Sequence, residues 1–370
     1  MAGARSSRRP ARQGAAPAPP PVAPHAATAP FRDLPATGPW VLRCAPGLAR
    51  VALTELRFRH LVGREPGATI LRQRNHDLVF VPRTLRPPGA LLRVPEELHA
   101  CVLYGRYKIS QAQLARLAAL LREQRRPFRV VVTADGAHFP RQQTQRWLHH
   151  ALAGLGVPLT DDPDWDVVLW VFCVEEAYYV CLLHGTAVAA PGRAQRLAER
   201  PGALPATIAA ALAFLGEPRA DDTILDPVCG TGTLLAEAHA YAPEARLIGV
   251  DLDRDALAAA HDNLAGLPRL DLHHGDGART GLSPGAVSLV LANLPFGKQF
   301  GSRESNPRLY RRLGAEIARV AARPARAVLL TADADALAAA LAAQPRLKLV
   351  RRLPVRVRGT AAAIFVLRVE

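Results

Sequence analysis

The run TILDPVCGTGTLLAE at residues 223–237 decides how this chain folds. Apolar Ile224 and Leu225 end a short strand, Asp226 closes it, Gly230 and Gly232 form a turn, and a helix is expected over Leu234–Ala242. Strand, glycine turn and helix in that order open an α/β sheet whose ligands sit at the carboxyl ends of its strands. The same alternation continues downstream. Strands are expected at Leu247–Val250, Leu270–His273, Val287–Ala292 and Ala327–Leu330, separated by helices at Arg254–Leu264, Pro307–Ala321 and Ala334–Ala343. The end reads as strands Leu347–Arg351 and Val355–Val369 with a turn at Gly359–Thr360. The pattern predicts a doubly wound sheet closed by an antiparallel hairpin.

The turn is not a dinucleotide fingerprint, because Leu235 stands where the third glycine belongs, and no G-K-[ST] follows to make a Walker loop. Asp226, immediately before the turn, would repel a pyrophosphate but suits a cationic ligand end. Asp251 closes the next strand, where an acid grips ribose hydroxyls in Rossmann-type sites. Acid, glycine turn and second acid fit S-adenosylmethionine, with its sulfonium, ammonium and ribose, better than NAD or ATP. Asp276, after the following strand, is placed either to accept from an adenine amine or to serve as an ordinary turn aspartate. Cys229 reads as a small polarizable filler. The expected cofactor-facing set is Asp226, Val228, Gly230, Gly232, Thr233, Asp251, Leu252, Asp276 and Asn293. No metal is expected.

After Val287–Ala292 comes Asn293-Leu294-Pro295-Phe296-Gly297-Lys298, at the carboxyl end of the fourth strand. An exocyclic base amine is a poor nucleophile because its lone pair is delocalised into the ring. The Asn293 side-chain oxygen and the Leu294 carbonyl can accept its two hydrogens, Pro295 stiffens the loop, and Phe296 offers a face on which a base can stack. These four residues are the candidate catalytic set. The absence of a cysteine in the loop argues against 5-methylcytosine chemistry.

The 370 residues carry a formal charge of +15, distributed in blocks. Residues 1–150 hold 24 Lys and Arg against 8 Asp and Glu, residues 151–300 hold 9 against 19, and residues 301–370 hold 14 against 5. A basic front, an acidic middle and a basic tail imply a polyanion bound by one module and a different ligand held by another. Residues 1–37, mostly Ala, Pro and Arg, read as disordered. In the front half, strands are expected at Val41–Cys44, Asp77–Val81, Val102–Ile109, Phe128–Thr133, Val167–Val174 and Ala177–Leu183, with helices at Leu48–Phe58, Gln111–Gln124 and Arg141–Leu155. That mixture predicts small α+β domains. No apolar run of about 18 residues is present for a transmembrane helix, and the first thirty residues lack the apolar core of a signal peptide. The five cysteines form no C-x-x-C pair, so a reducing cytoplasm is the expected compartment.

DPVCGTGTLLAEA, IGVDLD, NLPFGKQFGS, Asn306, Leu309-Tyr310, the segment RPGALPATIAAAL and the terminal LPVRVRGTAAAIFVLRV together resemble the THUMP-domain guanosine-N2 methyltransferases. The resemblance covers about half the chain. PFRVVVTADGAHFPRQQTQRWLHHAL and DWDVVLWVFCVEEAYYVCLL are similar in layout to a THUMP domain behind a ferredoxin-like one. It implies four parts: a tail at 1–37, a ferredoxin-like domain at 38–98, a THUMP-like domain at 99–186, and a Rossmann-like class I methyltransferase domain with a leading helix at 187–370. It further implies an RNA substrate, most simply a tRNA guanosine at position six of the acceptor stem, with ribosomal or small nuclear RNA as the family's other targets. Arg129, Arg141, Arg146 and Lys298 are the implied RNA contacts, and the protein is expected to act as a monomer. Two other readings stay open: an adenine-N6 methyltransferase, since N-x-P-F suits both amines, and an RNA-binding protein that keeps the fold without turnover. A fragment from about residue 190 is expected to bind cofactor by itself.

Overall fold

The computed structural model describes residues 38–59, 67–72, 76–81, 92–135, 138–165, 167–186, 203–296 and 304–370. The expected tail at 1–37, the start of the leading helix and Lys298 lie outside them. The front half contains β1 (Trp40–Cys44), α1 (Ala49–Phe58), β2 (Thr69–Arg72), β3 (Asp77–Val81), β4 (Glu97–Arg106), α2 (Gln111–Glu123), β5 (Arg129–Asp135), α3 (Arg141–Gly154), β6 (Val168–Val174) and β7 (Ala177–Thr186). They form one seven-stranded sheet in the order β2-β3-β1-β4-β7-β6-β5.

The expected division at residue 98 falls inside β4. That strand pairs with β1 over Glu97–Ala100 and with β7 over Glu97–Arg106, so the two front units share a backbone ladder. Leu98 to Val102 are buried without alternation, the pattern of a strand covered on both faces. β4 also ends earlier than expected. Tyr107 takes φ 63°, which breaks the extended run before Ile109.

The second half begins with α4 (Ala206–Gly216) and β8 (Thr223–Asp226), followed by α5 (Thr233–Tyr241), β9 (Arg246–Asp251), α6 (Arg254–Asn263), β10 (Leu270–His274), β11 (Val287–Asn293), α7 (Asn306–Val320), β12 (Ala321–Thr331), α8 (Ala334–Ala342), β13 (Leu347–Val357) and β14 (Thr360–Val369). The sheet order is β10-β9-β8-β11-β12-β14-β13. The first five strands run parallel and β14 lies antiparallel to β12 and β13, the doubly wound arrangement expected. The hairpin turn falls at Arg358 and Gly359, both at positive φ, one residue before the expected position, as two-residue hairpin loops require. Asp226, Asp251 and Asn293 thereby end neighbouring parallel strands on one edge of the sheet.

A single apolar cluster crosses between the halves: Leu48, Ala52 and Leu56 of the front half pack in it with Ile208, Leu212, Leu235 and Ile364. Buried polar groups reinforce the junction. The Glu55 carboxylate, fully buried, accepts from the Arg93 and Val94 N–H groups and, at 2.6 Å, from the Tyr241 hydroxyl. Arg93 Nε donates to Glu237 at 2.7 Å. A fragment beginning near residue 190 would expose this surface and carry Glu237 without Arg93. Replacing Arg93 by Met removes the cation facing a buried carboxylate. Stability is expected to fall by about 3–5 kcal/mol, read as a lower urea midpoint at unchanged slope.

Candidate active site

Asp226 is placed by β8, whose apolar residues bury it between two parallel neighbours; it is 2% exposed. Its Oδ1 accepts from Val228 N at 3.1 Å. Burial pushes its carboxyl up to about 8, and the neighbouring Asp251 carboxylate adds to the rise. Asp251 holds the turn as well as standing where a ribose contact is expected. Its Oδ2 accepts from Gly230 N at 2.7 Å and its Oδ1 from Asp253 N at 2.9 Å, so the carboxylate first fixes the turn, leaving its outward lone pairs for a ligand. Asp253 then caps α6 through Asp255 N and Ala256 N.

The two turn glycines are required for different reasons. Gly232, at φ 79°, lies where an added Cβ would come within 2.6 Å of Leu264 Cδ1, so helix packing excludes a side chain. Gly230, at φ 52°, has nothing within 4 Å of such a Cβ. Open space above a backbone turn, beside a buried carboxyl, is the cradle a ligand needs. Leu252, 68% exposed at the end of β9, adds an apolar surface, and Val228 is half-buried on the turn. Thr233 is buried at the first turn of α5. Cys229 is buried and its thiol is pushed well up by burial and the two nearby aspartates, consistent with a filler. Asp276 Oδ1 accepts from Ala278 N at 2.9 Å and Oδ2 pairs with Arg312, so the carboxylate fixes the turn after β10 at the same edge of the sheet.

The Asn293 loop leaves β11 with Leu294 N donating to Leu330 O at 2.9 Å. The Leu294 side chain is buried, and Phe296 is half-buried against the cluster that joins the two halves. Asn293 Oδ1 is buried and has no hydrogen-bond partner among the described residues. A buried acceptor is costly to leave unsatisfied, so a donor reaching this oxygen would be favoured.

Sequence reasoning gave Tyr310 no role. Fully buried on α7 beside Leu313 and Ile317, it donates its hydroxyl proton to the Pro295 carbonyl at 2.6 Å. The Thr331 hydroxyl, which accepts from Asp333 N, donates to Tyr310 at 2.7 Å. Burial pushes the phenol up to about 12, so it stays a donor. The available signal was a tyrosine on the apolar face of an amphipathic helix, where a hydroxyl must find a partner.

Of the expected RNA contacts, Arg141 and Arg146 are exposed and, with Gln142 and Gln145, line a hollow of about 460 Å³ on α3. Arg129, Arg141 and Arg146 each also donate to a backbone carbonyl of their own unit, those of Pro163, Val132 and Gln142.

An open, largely parallel sheet with an acid–glycine-turn–acid site and the Asn293 loop beside it has the architecture of a class I methyltransferase fold. Residues 193–362, just under half of the chain, match the UPF0020 family, described as RMKL-like, methyltransferase domain. Over 186 residues it is 32% identical to the tRNA (guanine(6)-N(2))-methyltransferase THUMP3 of Bos taurus, covering 45% of this chain and 36% of that one. Over 100 residues it is 38% identical to the U6 snRNA (guanine-N(2))-methyltransferase THUMPD2 of Bos taurus, covering 26% and 20%. The chain thus spans about a fifth to a third of these curated relatives. Among solved structures, TrmN from Thermus thermophilus superposes with a TM-score of 0.72 at 24% identity, covering 90% of this chain and all of that one, which shows that the front half as well as the catalytic half shares its fold.

Two outcomes follow from the geometry. A carboxyl whose folded pKa lies above its unfolded value holds its proton more tightly in the native state. Its contribution is therefore full below about pH 4 and is lost as pH rises through about 8. Asp226→Asn keeps the acceptor for Val228 N and removes that loss, so its thermal midpoint at pH 8 is expected to exceed that of the parent. Its affinity for S-adenosylmethionine falls more than tenfold and no longer rises between pH 6 and 8, as titration calorimetry would read. Tyr310→Phe frees the Pro295 carbonyl and is expected to lower turnover about tenfold, the equivalent of one lost hydrogen bond, with calorimetric cofactor affinity unchanged.

Proposed function

We propose that this chain is an S-adenosylmethionine-dependent RNA methyltransferase that modifies the exocyclic N2 amine of a guanosine, with a tRNA acceptor stem as its substrate. The observation that carries the reading is the buried Asn293 Oδ1 at the end of β11, without a hydrogen-bond partner among the described residues, beside a loop whose next carbonyl but one is anchored by Tyr310. The names of the relatives support guanine over adenine as the base.

Asp226, Asp251 and the open face of Gly230 fit the cofactor: a buried carboxyl for its ammonium end, a fixed carboxylate for its ribose, and room for backbone approach. The cofactor supplies an electrophilic methyl group on a positively charged sulfur. The protein's part is to prepare the amine. Asn293 Oδ1 and the Leu294 carbonyl accept its hydrogens, which turns the lone pair out of conjugation with the ring. Phe296 holds the base plane by stacking, worth roughly 1–3 kcal/mol per base. Positioning then supplies most of the rate, and the methylated amine gives its extra proton to water. The front sheet, with Arg141 and Arg146 on α3, presents the RNA. The reading calls for one copy of the chain, no metal, and a reducing cytoplasm for its buried free cysteines.

The test is incubation with labelled cofactor and total RNA, followed by digestion and nucleoside identification. N2-methylguanosine in the tRNA fraction is expected, and N6-methyladenosine would transfer the chain to the other amine chemistry. Label on no RNA at all, despite measurable cofactor binding, would leave a binding protein. Asn293→Ala is expected to cut turnover roughly a hundredfold while RNA and cofactor affinities hold, because its bonds strengthen as the amine rehybridises. Phe296→Ala weakens binding and turnover together, and Phe296→Tyr is tolerated.

A further inference from the structure

A cleft of about 1890 Å³ opens between the two halves, walled by α1 on one side and β13 on the other, with the residues after α4 along its floor. Seven arginines line it against two carboxylates, Asp77 and Glu217. Asp77 is buried, and its Oδ2 accepts from Gly47 N at 2.9 Å. Elsewhere in the molecule arginines close to acids pair with them, as Arg246 does with Asp271 and Arg326 with Asp222. Arg50, Arg57, Arg219 and Arg351 make no ion pair and no side-chain hydrogen bond recorded among the described residues. Four bare guanidiniums around one concavity focus positive potential into it, and their mutual repulsion is relieved by an entering polyanion.

The walls carry a second signal. Arg50, Thr54, Arg57 and Phe58 stand at i, i+4, i+7 and i+8, one exposed stripe of α1. Phe58 is 65% exposed and meets Phe214 edge-on at 5.7 Å, and Phe214 in turn leans on Tyr241 at 5.8 Å. On the facing wall Val350 is 62% exposed. A duplex hides its bases and is read through its backbone and minor groove. Guanidiniums interleaved with an exposed aromatic ring are instead what an unpaired strand uses, phosphates on the charges and a base on the ring.

We propose that this cleft binds an unpaired segment of RNA, with phosphates on Arg50, Arg57, Arg219 and Arg351 and a base against Phe58. The identity of the polyanion rests on the RNA substrate proposed above; the site is distinct from the Asn293 loop and from the α3 hollow.

The test uses the full chain and two labelled probes, an unstructured 12-nucleotide oligouridylate and a blunt RNA duplex of similar length, read by fluorescence anisotropy across a salt series. The wild type is expected to prefer the single strand. The Arg57→Glu, Arg351→Glu pair should weaken that binding at least tenfold and lower the salt slope by about 1.4, from about 0.7 for each phosphate contact. Phe58→Ala should weaken it about fivefold or more. The Arg57→Gln and Arg351→Gln single variants, milder at exposed positions, should each lower the slope by about half as much, at an unchanged thermal midpoint. Wild-type affinity and slope in all these variants would overturn the proposal, as would equal losses for the duplex. A competing occupant, the chain's own 187–202 segment, would show as tighter strand binding when that segment is replaced by a Gly/Ser linker of equal length, and this too would overturn it. Methyl transfer to total RNA, assayed in parallel, separates the two readings. Transfer by the wild type with no sensitivity to the cleft variants sinks the cleft alone, and cleft-dependent strand binding without transfer sinks the catalytic reading alone.

Discussion

The Gly230 N–H donating to the Asp251 carboxylate at 2.7 Å ties the turn after β8 to the end of β9, and the site is arranged around that bond. The other oxygen of the same carboxylate takes Asp253 N, and Asp253 caps α6. One side chain therefore sets the glycine turn, a strand end and a helix start. With the turn fixed, the Asp226 carboxyl is held buried beside a second acid and its pKa rises to about 8. That arrangement opposes folding at neutral pH and favours a cationic ligand, the usual tension between stability and function at a binding site.

Helix α5 carries this order across the molecule. Its first turn grows out of Gly232, and its far end presents Glu237 and Tyr241 to Arg93 and Glu55 of the front half. Removing one partner of such a buried ionic contact is costly, yet a buried pair adds little over well-packed apolar groups. Its effect here is to give the two sheets one relative orientation, with the arginine-lined cleft beside their junction.

The Asn293 loop is held just as indirectly. Thr331 ends β12 and Tyr310 lies on α7; Thr331 donates to the Tyr310 hydroxyl, which donates to the Pro295 carbonyl. Neither residue adjoins the loop in sequence. Parallel pairing of β11 with β12, which sets Asn293 opposite Leu330, brings them there.

Much of this was legible in the residues alone. The alternation of strands and helices after Thr223, the acid before the turn, the acid after β9 and the Asn293 loop are local patterns, and local spacing fixes which element each residue joins. The sequence by itself determined the doubly wound half and which residues stand at its carboxyl edge. Tertiary structure alone decided that β4 belongs to both front units, that Asp251 serves the turn, that Arg129 reaches the Pro163 carbonyl and Arg141 that of Val132, and that Tyr310 holds the loop. The reason is physical: these contacts join residues far apart in the chain, and a hydrogen bond or ion pair across such distances leaves no periodicity to read. It exists only once the sheets have paired and their apolar faces are buried.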